Sequence, residues 1–146
     1  MEKLAEVFQP DGVVVGDDGS ADGAAAVRYA AQEAGRRGVP LHVVTAYSVL
    51  SAPRPADLPF GYVATEEEME AAVLARLHER WGGLAGDVRF HAVHAPAAKV
   101  LIVAGLTADL VVVGARGVGG FDAQLLGSVA DQVVHHAHAP VVVVKG

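Results

Sequence analysis

Short valine-rich runs recur along this chain at Gly12 to Val15, Leu41 to Ala46, Leu110 to Val113 and Val141 to Val144. The alternating Val88, Phe90 and Ala92 supply a fifth. The intervals between them are long enough for helices. Strands joined in that way run parallel, because only a crossover connection returns the chain to the same edge of a sheet. Runs that are apolar throughout, as Gly12 to Val15, Leu110 to Val113 and Val141 to Val144 are, suit strands covered on both faces. The order βαβαβαβαβ predicts one doubly wound α/β domain over residues 1–146: a five-stranded parallel sheet with about four helices.

Composition supports this reading. Of 146 residues, 52% are hydrophobic, with 26 Val and 27 Ala, and only 19% are charged, which excludes a disordered tail. The apolar runs are about strand length, well short of the roughly 18 residues of a spanning helix, so a soluble protein is expected. Met1 to Pro10 carries Glu2, Lys3 and Glu6 and does not read as a secretory signal, which makes the cytoplasm the default location. The absence of cysteine removes disulfides, thiolate metal sites and cysteine nucleophiles. A net charge of -6 with scattered basic residues argues against a nucleic-acid partner, and any bound anion must be held by local devices.

The helices carry their own punctuation. Ala21 to Arg37 is alanine-rich, with Ala24, Val27, Ala31 and Ala34 at spacings of three and four, and Gly35 or Gly38 is placed to end it. Thr65 and Glu68 form a capping box ahead of a helix from Glu66 to Trp81, whose core stripe is Met69, Val73, Leu77 and Trp81; Gly82-Gly83 stops it. Further helices are expected from Ala97 to Leu106 and from about Ser128 to His136. Between Tyr47 and Tyr62, Pro53, Pro55 and Pro59 exclude a helix or central strand and suggest a surface excursion.

In open parallel sheets, ligands bind beyond the carboxyl ends of the strands. Two turns at such ends stand out: Asp17-Asp18-Gly19-Ser20 after the first strand, and Gly114-Ala115-Arg116-Gly117-Val118-Gly119-Gly120 after the fourth, followed by Gly127-Ser128. Small residues let backbone N–H groups approach phosphate oxygens, and a helix N-terminus adds about half a positive charge. On composition alone the same glycines also read as a flexible turn and Ser128 as a simple N-cap.

The spacing Gly114, two residues, Gly117, nine residues, Gly127-Ser128 resembles the G-2x-G-9x-G-S/T signature of the ATP-binding branch of the universal stress protein family. Val13 to Ser20, Asp109 to Gly114 and Pro140 to Val144 resemble that family's first, fourth and terminal strands, in the same order. The resemblance implies a Rossmann-like, adenine nucleotide alpha hydrolase-like fold with strand order 3-2-1-4-5. It implies that Gly114, Gly117, Gly127 and Ser128 hold phosphates and that Asp18 contacts the ribose or a metal ion. It also places the adenine against the backbone of Ala46, with Thr45 beside it. Asp17 stands where the family more often has an apolar residue, which leaves open which acid faces the ligand. His94, where the family often has Gly, is expected to narrow the pocket, and Val129 removes a hydroxyl that some members carry. The implied ligands are ATP, or AMP or ADP, with Mg2+ or Mn2+ to offset charge, because the sequence places few basic residues near the loop.

Rival readings are weaker. A response-regulator receiver would share the acidic pair and Lys145, but Phe90 to Ala95 offers no phosphoacceptor Asp. A pyrophosphatase-loop enzyme would carry a Ser-Gly-Gly-x-Asp-Ser loop where this chain has Gly16 to Ser20. No Gly-x-Ser-x-Gly elbow occurs, and no dedicated catalytic constellation is visible; slow ATP hydrolysis is not readable from sequence. His135, His136 and His138 suit the carbonyls of a helix end better than a metal, and His91 with His94 is read as a pair on one strand face. Arg116 suits phosphate or solvent equally. Two functions remain: a regulatory adenine-nucleotide-binding stress protein, or a homodimeric signalling module, paired through the C-terminal strand, whose nucleotide site is vestigial or prefers AMP.

Overall fold

Each valine run becomes a strand of one parallel sheet. The structure is a computed structural model that describes residues 2–48, 50–52, 61–117 and 126–146. The expected excursion at Pro53, Pro55 and Pro59, and the Val118-Gly119-Gly120 part of the glycine-rich turn, lie outside the described residues. In chain order the elements are α1 Glu2–Val7, β1 Val13–Gly16, α2 Ala21–Arg37, β2 Leu41–Tyr47, α3 Glu66–Trp81, β3 Val88–His94, α4 Ala97–Ala104, β4 Leu110–Gly114, α5 Ser128–His136 and β5 Val141–Val144. The sheet order is β3-β2-β1-β4-β5, as expected, and every adjacent pair is parallel.

The period-two alternation of a strand divides the core into two layers. Val13 and Val15 pack with Val43, Leu77, Leu110 and Val112 beneath α2 and α3. Val14 packs on the other face with Val44, Val100, Val111 and Val113, where Phe8, Ala130 and Val133 close the layer. This explains why β1 and β4 tolerate no polar residue among their valines. The run Val141 to Val144 differs from expectation, because β5 is an edge strand and all four of its valines are only half-buried.

Helix ends follow local chemistry closely. The α2 N-cap is Ser20, whose hydroxyl accepts from the Gly23 N–H at 3.0 Å. Its C-cap is Gly38 in the left-handed region at φ 65, so Gly35 lies inside the helix. The buried stripe of α2 is Ala26, Val27, Ala30 and Ala34, rotated from the expected one, which leaves Ala24 and Ala31 on its flank. In α3, Thr65 and Glu68 form the reciprocal capping box. Two helices depart from expectation: α4 ends at Ala104, and α1 adds a fifth helix that brings Leu4 and the buried Phe8 against the α4 layer. Among the described residues, no helix is long and apolar enough to cross a membrane.

His91 and His94 fall on opposite faces of β3, since their separation of three reverses the side-chain direction. His94 stacks on Tyr47 at 5.2 Å and meets Glu66 at 3.2 Å. His91 Nε2 lies 2.7 Å from Nδ1 of the buried His42, whose Nε2 lies 3.0 Å from Asp11 Oδ1, and the Phe8 ring packs edge-on against His91. Burial, reinforced by His42 and Arg89, lowers the His91 pKa from 6.5 to about 4. The unfolded chain therefore binds this proton between those values while the folded chain refuses it, so the stability contributed above pH 6.5 is lost as pH falls toward 4. Loss at Asp11 and Asp87, whose carboxyls are held below 3.8, comes at lower pH. The urea midpoint is expected to fall between about pH 7 and about pH 4.5 in the parent and to fall less in His91→Gln. Equal losses in the two proteins would contradict this assignment.

Candidate functional site

The carboxyl ends of β1, β2 and β4 open into a cleft of about 690 Å³, a size suited to a small organic ligand. Its walls are the β1–α2 turn, the end of β2, the turn after β4, the first turns of α4 and α5, and one face of α3. All seven residues singled out from sequence line it: Asp18, Ala46, Gly114, Arg116, Gly117, Gly127 and Ser128. They come from four separate segments, and the parallel topology alone brings them together.

The acidic pair divides its labour. Asp17 is buried, with Oδ2 accepting from the Trp81 indole N–H at 2.8 Å and Oδ1 accepting from the Gly19 N–H at 3.1 Å. Arg80 lies 3.5 Å from the same Oδ1. The Asp17 backbone is also fixed, its N–H donating to the Val44 carbonyl and its carbonyl accepting from the Thr45 hydroxyl at 2.8 Å. Asp18 is the exposed member of the pair. Its Oδ1 accepts from the Ser20 N–H and hydroxyl, while a Cβ at Gly117 would lie 2.8 Å from its Oδ2. Asp18 thus faces the turn after β4, and Asp17 anchors the turn that presents it.

The glycines differ in role. A Cβ at Gly114 would lie 2.8 Å from the backbone of Asp22, so this residue lets β4 approach α2. The Gly127 N–H is already committed to the Ala115 carbonyl at 2.6 Å. Gly127, rather than Ser128, occupies the α5 N-cap position, and the Ser128 hydroxyl accepts from Gln132 Nε2 at 3.1 Å. The N–H groups of Ser128, Val129 and Ala130 open α5 with no acceptor within the helix and can meet an anion at the cleft wall.

Several contributors have no visible sequence signal. Asp22, in the first turn of α2, accepts from the Gly146 N–H at 2.8 Å through Oδ1 and from the Arg116 N–H at 3.1 Å through Oδ2. The Arg116 side chain comes within 4.0 Å of the same carboxylate and lines the cleft. Trp81, expected only as core, is half-buried and gives its N–H to Asp17. Arg76 and Arg80 bring two guanidinium groups from α3, so the cleft is not poor in basic residues as the sequence suggested. His94 is not among the described lining residues and does not narrow the cleft, whereas Val129 does line it. His135 Nδ1 pairs with the Asp131 carbonyl at 2.8 Å, and no group of His, Asp or Glu suited to hold a metal by itself occurs among the described residues. A divalent ion here would need ligand oxygens beside Asp18, which suits the way Mg2+ binds phosphates with few protein ligands.

Residues 11–145 match the model of the Universal stress protein family. Universal stress protein Rv1996 of Mycobacterium tuberculosis is 42% identical over 139 residues, which cover 91% of this chain but 43% of that protein. This chain therefore spans less than half the length of that relative. A universal stress protein solved in complex with cAMP superposes with a TM-score of 0.62 at 29% identity, covering 92% of this chain and 95% of the other. The universal stress protein from Archaeoglobus fulgidus in complex with dAMP gives 0.59 at 28% identity, covering 95% and 99%.

The Asp22 arrangement makes a direct test of how the cleft is braced. Both carboxylate oxygens accept from backbone N–H groups, so Asp22→Asn replaces one acceptor with a donor and leaves an N–H unsatisfied. A loss of about 1–3 kcal/mol in unfolding free energy is expected from urea denaturation. A change within about 0.5 kcal/mol, typical of surface substitutions, would show that the bracket is dispensable.

Proposed function

The chain belongs to the universal stress protein family, and on that premise we propose that the cleft holds an adenine nucleotide as a regulatory ligand. ATP is the proposed ligand, with AMP and ADP as shorter forms. The observation that carries this reading is the meeting in one cleft of an exposed carboxylate at Asp18, the β2 end at Ala46, and the open N-terminus of α5 beside Gly117. The adenine is assigned to the Ala46 backbone, against the apolar wall of Val44, Val100 and Leu101. Phosphates go to Gly117 and the first turn of α5, and Asp18 to the ribose or to Mg2+ or Mn2+ bound with the phosphates. The cAMP and dAMP complexes of the two similar structures support an adenine nucleotide as the ligand class.

A regulatory role fits the site better than rapid catalysis. No histidine is among the described lining residues, and Asp17 is occupied by Trp81, Gly19 and Arg80 rather than open to a water. This reading treats residues 1–146 as one domain acting in the cytoplasm. Isothermal titration with ATP and Mg2+, and in parallel with AMP, is expected to give saturable binding. Gly117→Ala is expected to weaken it roughly tenfold or more, because the added methyl group would crowd Asp18. Absence of heat with every nucleotide at high protein concentration would sink the proposal.

A second reading rests on β5, the half-buried edge strand whose outer side pairs with no further strand among the described residues. Pairing of two copies along Val141 to Val144 makes the protein a homodimeric module. Light scattering on the eluting protein at micromolar concentration is expected to give twice the chain mass, and a monomer would rule out this assembly.

A further inference from the structure

The positive charge of the cleft is unevenly distributed. On a chain of net charge -6, the described charged residues lining it are Arg76, Arg80 and Arg116 against Asp17 and Asp18. Arg116 belongs to the turn after β4, within 4.0 Å of Asp22, whereas the other two project from α3 on a different wall. Arg76 and Arg80 are four apart and share a helix face. Arg80 is held in place: its guanidinium lies 3.5 Å from Asp17, 5.5 Å from the centre of the Trp81 ring, and against Gly19 of the β1–α2 turn. Arg76 makes no hydrogen bond or ion pair among the described residues, although Glu79 stands three positions away on the same helix. With Asp17 matched by Arg80, the charge of Arg76 on the α3 wall has no counterpart among the described residues.

From this we infer that the α3 wall is a second anion position, built for a phosphate carried on the ribose of the nucleotide. The inference rests on the reading above, in which the base lies at Ala46 and the 5′-phosphate at α5. The sugar then lies over Asp18 and Gly19, and Gly19 is the residue on which the Arg80 guanidinium packs. With Asp18 accepting from one of the 2′ and 3′ hydroxyls, a phosphate on the other oxygen is brought beside Arg80 and Arg76, whose planar donor sets suit bidentate contact with phosphate oxygens. Arginine near the ribose accommodates a 2′-phosphate in dinucleotide-binding folds for the same reason. The ligand class is an adenosine nucleotide phosphorylated at both the 5′ and the 2′ or 3′ positions.

The test compares 5′-AMP with adenosine 3′,5′-bisphosphate and adenosine 2′,5′-bisphosphate by isothermal titration of the full chain, without added metal. At least one bisphosphate is expected to bind roughly tenfold or more tightly than 5′-AMP, the size of one or two charge-assisted contacts. In Arg76→Gln and in Arg80→Gln, checked for an intact fold by circular dichroism, that ratio is expected to fall toward one. If 5′-AMP binds and neither bisphosphate binds more tightly, the second anion position is wrong while the nucleotide reading stands. A preference that survives both substitutions places the extra phosphate elsewhere and also overturns the inference. If none of the three binds while ATP with Mg2+ does, the second anion position is wrong and the nucleotide reading stands; if ATP with Mg2+ fails as well, the nucleotide reading falls and takes this inference with it.

Discussion

A parallel sheet gives its chain no short way back. Each strand from β1 to β4 must be followed by a crossover to reach the next, so the carboxyl ends of all five strands face the same edge, and those four deliver the backbone into a turn there. The cleft is a product of that constraint. Residues as distant in sequence as Asp18, Ala46 and Gly117 share it because β1 lies between β2 and β4. Glycine at position 114 then lets α2 settle onto β4 closely enough for the first turn of that helix to reach the loop after it.

Two carboxylates turn this topological coincidence into a defined surface. Asp17 ties the β1–α2 turn to α3 through Trp81 and Arg80, and Asp22 ties the start of α2 to Arg116 and to the residue following Lys145. Each is nearly buried, yet each accepts hydrogen bonds from other segments, so the desolvation of the charge is offset locally. Asp18, left exposed between them, needs no such partners because water reaches it.

Much of the architecture was legible because it depends on local signals. The valine runs, the Thr65 and Glu68 capping box, and the limits of α2, α3 and α5 were all readable from neighbouring residues. The turns after β1 and β4 were legible from the topology of a parallel sheet, whereas the roles of their residues and of Ala46 were legible only through the family resemblance. What escaped depends on contacts distant in sequence: the 64-residue separation between Asp17 and Trp81, the 124-residue separation between Asp22 and Gly146, and the α3 face bearing Arg76 and Arg80. The shift of the α5 N-cap from Ser128 to Gly127 is a smaller failure of the same kind, since the Gly127 N–H is drawn to the Ala115 carbonyl. The short helix α1 has weak intrinsic stability and is read only from its packing of Leu4 and Phe8.

The bond from Trp81 to Asp17 also has an optical meaning. The chain contains a single tryptophan, and its indole is fastened at the edge of the cleft to a carboxylate on one side and lies near a guanidinium on the other. Indole emission responds to the charges and water around the ring. The protein therefore carries a fluorophore one hydrogen bond away from a residue that lines its own cleft, with no second tryptophan to dilute it.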